Sequence, residues 1–493
     1  MNVRDWILRQ LGATRVAEPI SLRRWDAAKT HRLNEQHWSN ATGASLNSDL
    51  DSYLSTIRMR SAYEYNANAA LKGIVATHVS DLVGANGPQL QVNSDDDAYN
   101  DALEALVFEW SKSCDASGSL RLADVVSLWV TQLWWAGEYF SQIINDPSVS
   151  SGVKMRLNNI DPKRIDSPIG ANSVDDKVVM GILRNEYGRP IAYYVLPPDD
   201  SMSASSLRTT TVRARDMIHN FIIDEPGQAR GVPWIACALQ TLADIHDLDH
   251  QIMDAMKAAA ENGVILHTDH PDAEFVSANE STTLERGTMK TAPPGWKPFQ
   301  MTPQQPGTNT IAYRDERLRE AGAPANMPLL KIKRDASNHN YSSARFDALG
   351  YWTGLDWLRA RIVGNSLNRC VDAIEREGQL LELLKDKRPA NLRYEWRWPQ
   401  RPQIDPLKEA SAEELGLANN TLLLKDAVIA RGKDYEQHMK DLEKEAVLLS
   451  KMTPKREVTE KEKAQRNSRG LVADVLMQHL EETEKVNGKT AHL

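Results

Sequence analysis

Among its 493 residues the chain holds only three cysteines, Cys114, Cys237 and Cys370, an odd number set far apart. That pattern argues against a disulfide frame and suits buried thiols in a reducing cytoplasm. Cysteine and histidine never cluster at zinc-module spacing, so no structural zinc is expected. No apolar run approaches the roughly 20 residues of a membrane-spanning helix. The opening stretch, MNVRDWILRQLGATR, carries charges through its apolar positions and lacks a signal-peptide core. Surplus positive charge is missing too: 59 Lys and Arg against 67 Asp and Glu leave a net charge of −8. A protein that grips nucleic acid regardless of sequence ordinarily carries a basic surface.

Catalytic signatures are equally scarce. No Gly-x-Ser-x-Gly elbow occurs. Gly488-Lys489-Thr490 imitates the end of a phosphate-binding loop, but Thr483 stands where the first glycine is required and no buried strand precedes it. His246, His250 and Asp254 follow at i, i+4 and i+8, close to one helix face. Two histidines so spaced can bind zinc, yet a metalloprotease would place a glutamate between them, and here the intervening residues are Asp-Leu-Asp. A solvated or subunit-facing helix surface is the favoured reading. A metal-dependent hydrolase built on this His/His/Asp face is the alternative. No resident metal or cofactor is implied.

What is present is ordinary in bulk, with 26% charged and 41% hydrophobic residues. The chain is long enough for two to four domains. Residues 217–262 are the most structured reading: an apolar run with Ile218, Phe221, Ile222 and Ile223 predicts a buried strand, and Glu225-Pro226-Gly227 and Arg230-Gly231 break it. Pro233 is tolerated in a first helical turn. Leu239, Leu242, Ile245, Leu248, Ile252, Met256 and Ala259 then recur at spacings of three and four, up to Asn262-Gly263. About 28 helical residues give a rod on the order of 40 Å, which needs neighbours on more than one side.

Elsewhere the spacing predicts helix over 51–83 ending at Gly84, over 102–111 and 123–135, and a strand over 139–144. Alternating short apolar runs over 153–223 predict a small β-rich unit. Pro293-Pro294-Gly295, Pro303 and Pro306-Gly307 make 264–309 irregular. Helix is expected again over 310–322 and 341–384, in two pieces around Asn419-Asn420 within 405–450, and as a short piece over 471–483. Ser342 or Ser343 is expected to cap the helix after Asn340. Trp134 and Trp135 read as core or interface aromatics.

The string PGQARGVPWIACAL before the long helix resembles the segment that introduces the stem in the lambda-like family of tailed-phage portal proteins. Four more strings resemble that family in the same order: IRMRSAYEYNANAALKGIVATHVSDLVGANGPQLQV from Ile57, VVMGILRNEYGRPIAYYVLPPD from Val178, DASNHNYSSAR from Asp335, and IDPLKEASAEE from Ile404 with its later Gly-x-Asp. The resemblance implies an α+β portal fold assembled as a cyclic ring, with residues 1–50 as an N-terminal arm and 51–231 as the wing. It further implies a stem helix over 232–262, a clip over 263–309, a second stem helix over 310–322 and a tunnel loop over 323–342. A long wing helix and its return follow over 343–404, then a crown and tail over 405–493.

By the same resemblance the protein is no enzyme. It forms a dodecamer at one capsid vertex of a virion, assembled in the host cytoplasm. Its expected partners are the terminase, the major capsid and scaffolding proteins, head-completion and tail-connector proteins, and double-stranded DNA passing without sequence specificity, but no membrane. An acidic chain suits a conduit that must not hold what slides through it. A charge run ordinarily faces water, but Lys331, Lys333 and Arg334 fall in the tunnel-loop equivalent, where the resemblance implies transient contact with phosphates.

Overall fold

Asn68 divides the first helical run. Its side chain accepts from the N–H groups of Ala70 and Leu71, so α1 (Leu46–Ala67) ends there and α2 (Ala69–Val83) begins. The computed structural model describes residues 43–149, 152–167, 178–198, 209–261, 265–267, 297–299, 308–337, 339–384, 387–399, 401, 406–431, 433 and 435–452. Residues 1–42, most of the clip span 263–309, and 453–493, with Gly488-Lys489-Thr490 and the helix expected over 471–483, lie outside them.

Gly84, at φ 63°, closes α2. After β1 (Gln89–Asn93) come α3 (Asp97–Ser111) and α4 (Leu122–Trp135). Leu71, Ile74 and Leu82 of α2 pack with Val125, Val126, Trp129 and Trp134 of α4 in the main core. Trp134 is therefore a core residue, as its apolar setting predicts. Residues from far along the chain complete this core: Tyr351, Leu355 and Ile362 come from the helix Tyr341–Ile362. β1 likewise pairs antiparallel with β11 (Arg393–Arg397), Leu90 facing Trp396. Early and late segments thus form one body.

The β-rich unit contains two sheets. β3 (Met155–Ile160), β2 (Glu138–Asn145) and β8 (Met217–Phe221) lie side by side in that order, both pairings antiparallel. β4 (Val178–Val179), β5 (Ile182–Arg184), β6 (Pro190–Val195) and β7 (Thr210–Arg213) form an antiparallel meander. Phe140, Ile160, Ile182, Tyr193, Val212 and Met217 join the two in a second, smaller core.

The long helix starts later than its sequence suggests. Pro233 precedes a 3-10 turn, Trp234–Ala238, and α5 runs Leu239–Glu261. It packs antiparallel to α6 (Thr308–Gly322), because Thr241 meets Glu320 while Asp249 meets Arg314. Between the helices, β9 (Ile265–His267) and β10 (Lys297–Phe299) pair antiparallel.

Residues 323–342, expected as an open loop, contain a 3-10 turn, Ala323–Ala325, and a short helix α7 (Leu329–Lys333), with Asn326 and Arg334 left-handed at their ends. Asn340, rather than a serine, caps α8 (Tyr341–Ile362): its side chain accepts from Ser343 N–H while the Ser343 hydroxyl accepts from Asn340 N–H. A π turn, Val363–Leu367, carries the run into α9 (Asn368–Leu380). Among the described residues, the span expected to hold two helices around Asn419-Asn420 holds three: α10 (Pro406–Ala418), α11 (Leu424–Ala430) and α12 (Tyr435–Met452), with Asn420 left-handed after the first.

Candidate functional site at the root of the α5–α6 pair

The string PGQARG, which leads toward α5, folds back onto the first residues of β2. Gly137, at φ 82°, lets the chain turn from α4 into β2 against the segment entering the stem. A side chain there would strike the Val232 carbonyl carbon at 2.2 Å, and one at Gly231 would strike the Gly137 oxygen at 2.1 Å. Two backbones touch at this point, and only glycine leaves room for both.

The next residue, Glu138, is fully buried and takes four donors. Arg230 Nε lies 2.7 Å from Oε1, which Arg58 of α1 also contacts through Nη2. Gly231 N–H lies 2.8 Å and His219 Nε2 3.0 Å from Oε2. Both arginines reach further. Arg58 donates to the Ala136 carbonyl at 2.8 Å, and Arg230 to the carbonyls of Pro162, Ile165 and Met180 at 2.9, 2.9 and 2.6 Å. One carboxylate therefore ties α1, both sheets and the entry to the stem together.

Burial opposes every charge in this cluster, so the geometry must offset it. Burial alone would raise the Glu138 carboxyl, but Arg230 and Arg58 beside it prevail and hold it well below the usual carboxylate range. Desolvation brings Arg58 down to about 10 against the attraction of Glu138. His219 stacks on Phe140 with ring centroids 4.1 Å apart, and burial keeps its pKa below the ordinary histidine value. None of these four residues emerges from sequence reasoning, because their partners lie 80 to 93 positions apart. Their only signals are Gly137-Glu138 at the head of a strand and Arg230-Gly231 in the stem-leading string.

Above the root, Leu242 and Ile245 of α5 and Leu318 and Ala321 of α6 are buried. Trp234, at the stem's base, packs near His78 and Trp134, whose Nε1 donates to His78 Nδ1 at 3.1 Å. Further out the stem changes character. Met253 and Met256 of α5 and Ile311 and Tyr313 of α6 are 51%, 44%, 56% and 50% exposed.

Lys331, Lys333 and Arg334 are fastened to the body rather than free in a loop. Lys331 Nζ lies 3.0 Å from Asp81 Oδ2 on α2, an oxygen that also accepts from the Tyr351 hydroxyl at 3.1 Å. Lys333 pairs with Asp315 of α6 at 2.8 Å. Arg334 donates to the Thr77 hydroxyl at 3.0 Å and pairs with no carboxylate among the described residues. His246 and His250 sit side by side on the exposed face of α5, whereas Asp254 pairs with Lys257 at 3.3 Å. Of the thiols, Cys114 and Cys370 are buried and Cys237 is exposed.

Comparison with known proteins fits this frame. A family model described as phage portal protein, lambda family, matches residues 32–359, so the class is that of the phage portal proteins. The chain belongs to the lambda family of them. That membership, in a family of structural proteins, lends no support to a metal-dependent hydrolase.

Among solved structures, a chain from the neck of an empty gene transfer agent particle is 14% identical, with a TM-score of 0.46, over 80% of this chain and 95% of its own. One from the neck of a native gene transfer agent particle is 13% identical, with a TM-score of 0.43, over 82% and 99%. A HK97-family phage portal protein from Corynebacterium diphtheriae is 11% identical, with a TM-score of 0.30, over 71% and 96%. No helix among the described residues is long and apolar enough to cross a membrane.

Proposed function

We propose that twelve copies of this chain close into a head-to-tail ring at one capsid vertex, with the paired stem helices around a channel for double-stranded DNA. The observation that carries this reading is the outer half of the stem. Its root is sealed in the core, yet Met253, Met256, Ile311 and Tyr313 stand exposed beyond it. Exposed apolar groups gathered on a projecting helix pair mark a contact surface. A head-to-tail contact that closes on itself satisfies every copy equally.

In this reading residues 51–231 and 343–404 are the wing, 232–262 and 310–322 the stem, 263–309 the clip that meets the terminase and later the head-completion and tail-connector proteins, and 405–493 the crown. Major capsid and scaffolding proteins surround the ring during assembly in the host cytoplasm. Packaging energy comes from the terminase. Residues 323–342 face the channel, and of their three cations Arg334 is the one left to meet phosphates, since Asp81 and Asp315 already compensate Lys331 and Lys333.

The purified double variant Met253→Lys/Ile311→Lys tests the reading by native mass spectrometry and negative-stain microscopy. We expect the native chain to form a ring near twelvefold and the variant to stay monomeric with unchanged helicity. Rings of equal yield from both chains would remove the outer stem as the carrying contact.

A further inference from the structure

We propose that His246 and His250 form a chelating site for a divalent transition-metal ion on the exposed face of α5. The site stands on the helix alone and does not depend on how the chain assembles.

The two imidazoles stand one helical turn apart, where side chains at i and i+4 meet. Their Nε2 atoms are 3.0 Å apart, and the rings are nearly perpendicular, at 80°. A cation about 2.1 Å from each nitrogen would subtend an N–metal–N angle of roughly 90° at that separation. That is the cis angle of a tetragonal or octahedral ion, and it is narrower than the tetrahedral angle zinc prefers. Imidazole nitrogens in such an arrangement suit copper and nickel. Without a metal, one ring N–H donates to the other ring, so a single proton holds the nitrogens in the same place.

Both histidines are exposed in the single chain. Among the described residues no three His, Cys, Asp or Glu side chains gather to hold a metal. Asp254, a turn further on, is engaged by Lys257, and Asp249 by Arg314. The remaining coordination positions therefore fall to water, which makes this a binding site and not a hydrolytic one. Chelation across one turn would clamp α5 where it leaves the buried root, and so stiffen the outer stem.

Calorimetric titration of the tag-free full-length chain with nickel, copper, zinc and magnesium chlorides tests this. We expect one nickel ion per chain, an affinity order of copper above nickel above zinc, and no magnesium binding. His246→Gln and His250→Gln should each weaken nickel binding by about a hundredfold, the gain of joining two ligands on one rigid element. Electron paramagnetic resonance of the copper form should show two nitrogen ligands in the native chain and one in each variant. Circular dichroism checks that the variants keep their helix. Nickel binding of the same stoichiometry and affinity in both variants, or none in the native chain, would overturn the proposal.

Discussion

Glu138 concentrates the energetics of the stem root in one side chain. Its loss leaves two buried guanidinium groups facing each other without a counter-charge. We expect Glu138→Ala to destabilise the chain by about 3–5 kcal/mol in urea unfolding, the usual cost of breaking a buried ion pair from one side. A cost under about 1 kcal/mol, the range of exposed pairs, would show that the cluster is not holding the root. Acid acts on the same region. His78 is brought down to about 3 by burial, and His219 also lies below its ordinary value for the same cause. The unfolded chain therefore takes up protons that the folded chain refuses. Stability present above pH ~6.5 is lost as pH falls below that point, at about 1.4 kcal/mol per pH unit for His78, whose folded value lies near 3, and in the same direction for His219. Glu138, whose folded value is depressed, adds a loss in the same direction below its unfolded value. We expect the urea midpoint to drop between pH 7 and 5 and His78→Gln to make that drop smaller; equal midpoints at the two pH values would contradict the assignment. Arg334 offers a functional test at this scale. Arg334→Glu should lower the packaged DNA per particle while leaving ring assembly intact, and undiminished packaging would remove it from the channel.

Elements were legible where local chemistry governs them. The spacing of Leu242, Ile245, Leu248 and Ile252 predicts α5, and Gly84 marks a helix end by residue type, whereas the run expected as one helix over 51–83 is divided at Asn68. What escaped was decided by partners distant in sequence. Pro233 reads as the first turn of an α-helix, whereas a 3-10 turn, Trp234–Ala238, follows it where Trp234 packs near His78 and Trp134. The Ala/Pro tract before α7 reads as loop, whereas Lys331 and Asp81 bind it to α2. The string after Asp335 signals a cap correctly but not which residue supplies it. Asn340 and Ser343 satisfy each other's backbone, so we expect Asn340→Ala to cost about 1 kcal/mol. Thermal unfolding would measure this, and no change in midpoint would mean that Ser343 alone suffices. The Glu138 cluster is the extreme case, because the donors to its carboxylate lie 80 to 93 positions away.

At the scale of the whole molecule, family membership and the exposed outer stem lead to the same conclusion by separate routes. The sequence resemblance names the family, which its family model confirms over residues 32–359. The structure adds a helix pair, α5 and α6, rooted at a buried ionic cluster and exposing Met253, Met256, Ile311 and Tyr313 beyond it, which is the surface the proposed ring would cover. Net charge belongs to this scale too. An overall value of −8 argues against a gripping DNA binder, and in the proposed ring Asp81 and Asp315 compensate Lys331 and Lys333. The measurement that tests the central claim most directly is cryo-electron microscopy, without imposed symmetry, of particles assembled with this chain. The account predicts one ring of about twelve copies at a single vertex, its stem helices lining an open axis. Particles in which the chain is dispersed over many vertices, or absent from all of them, would contradict it.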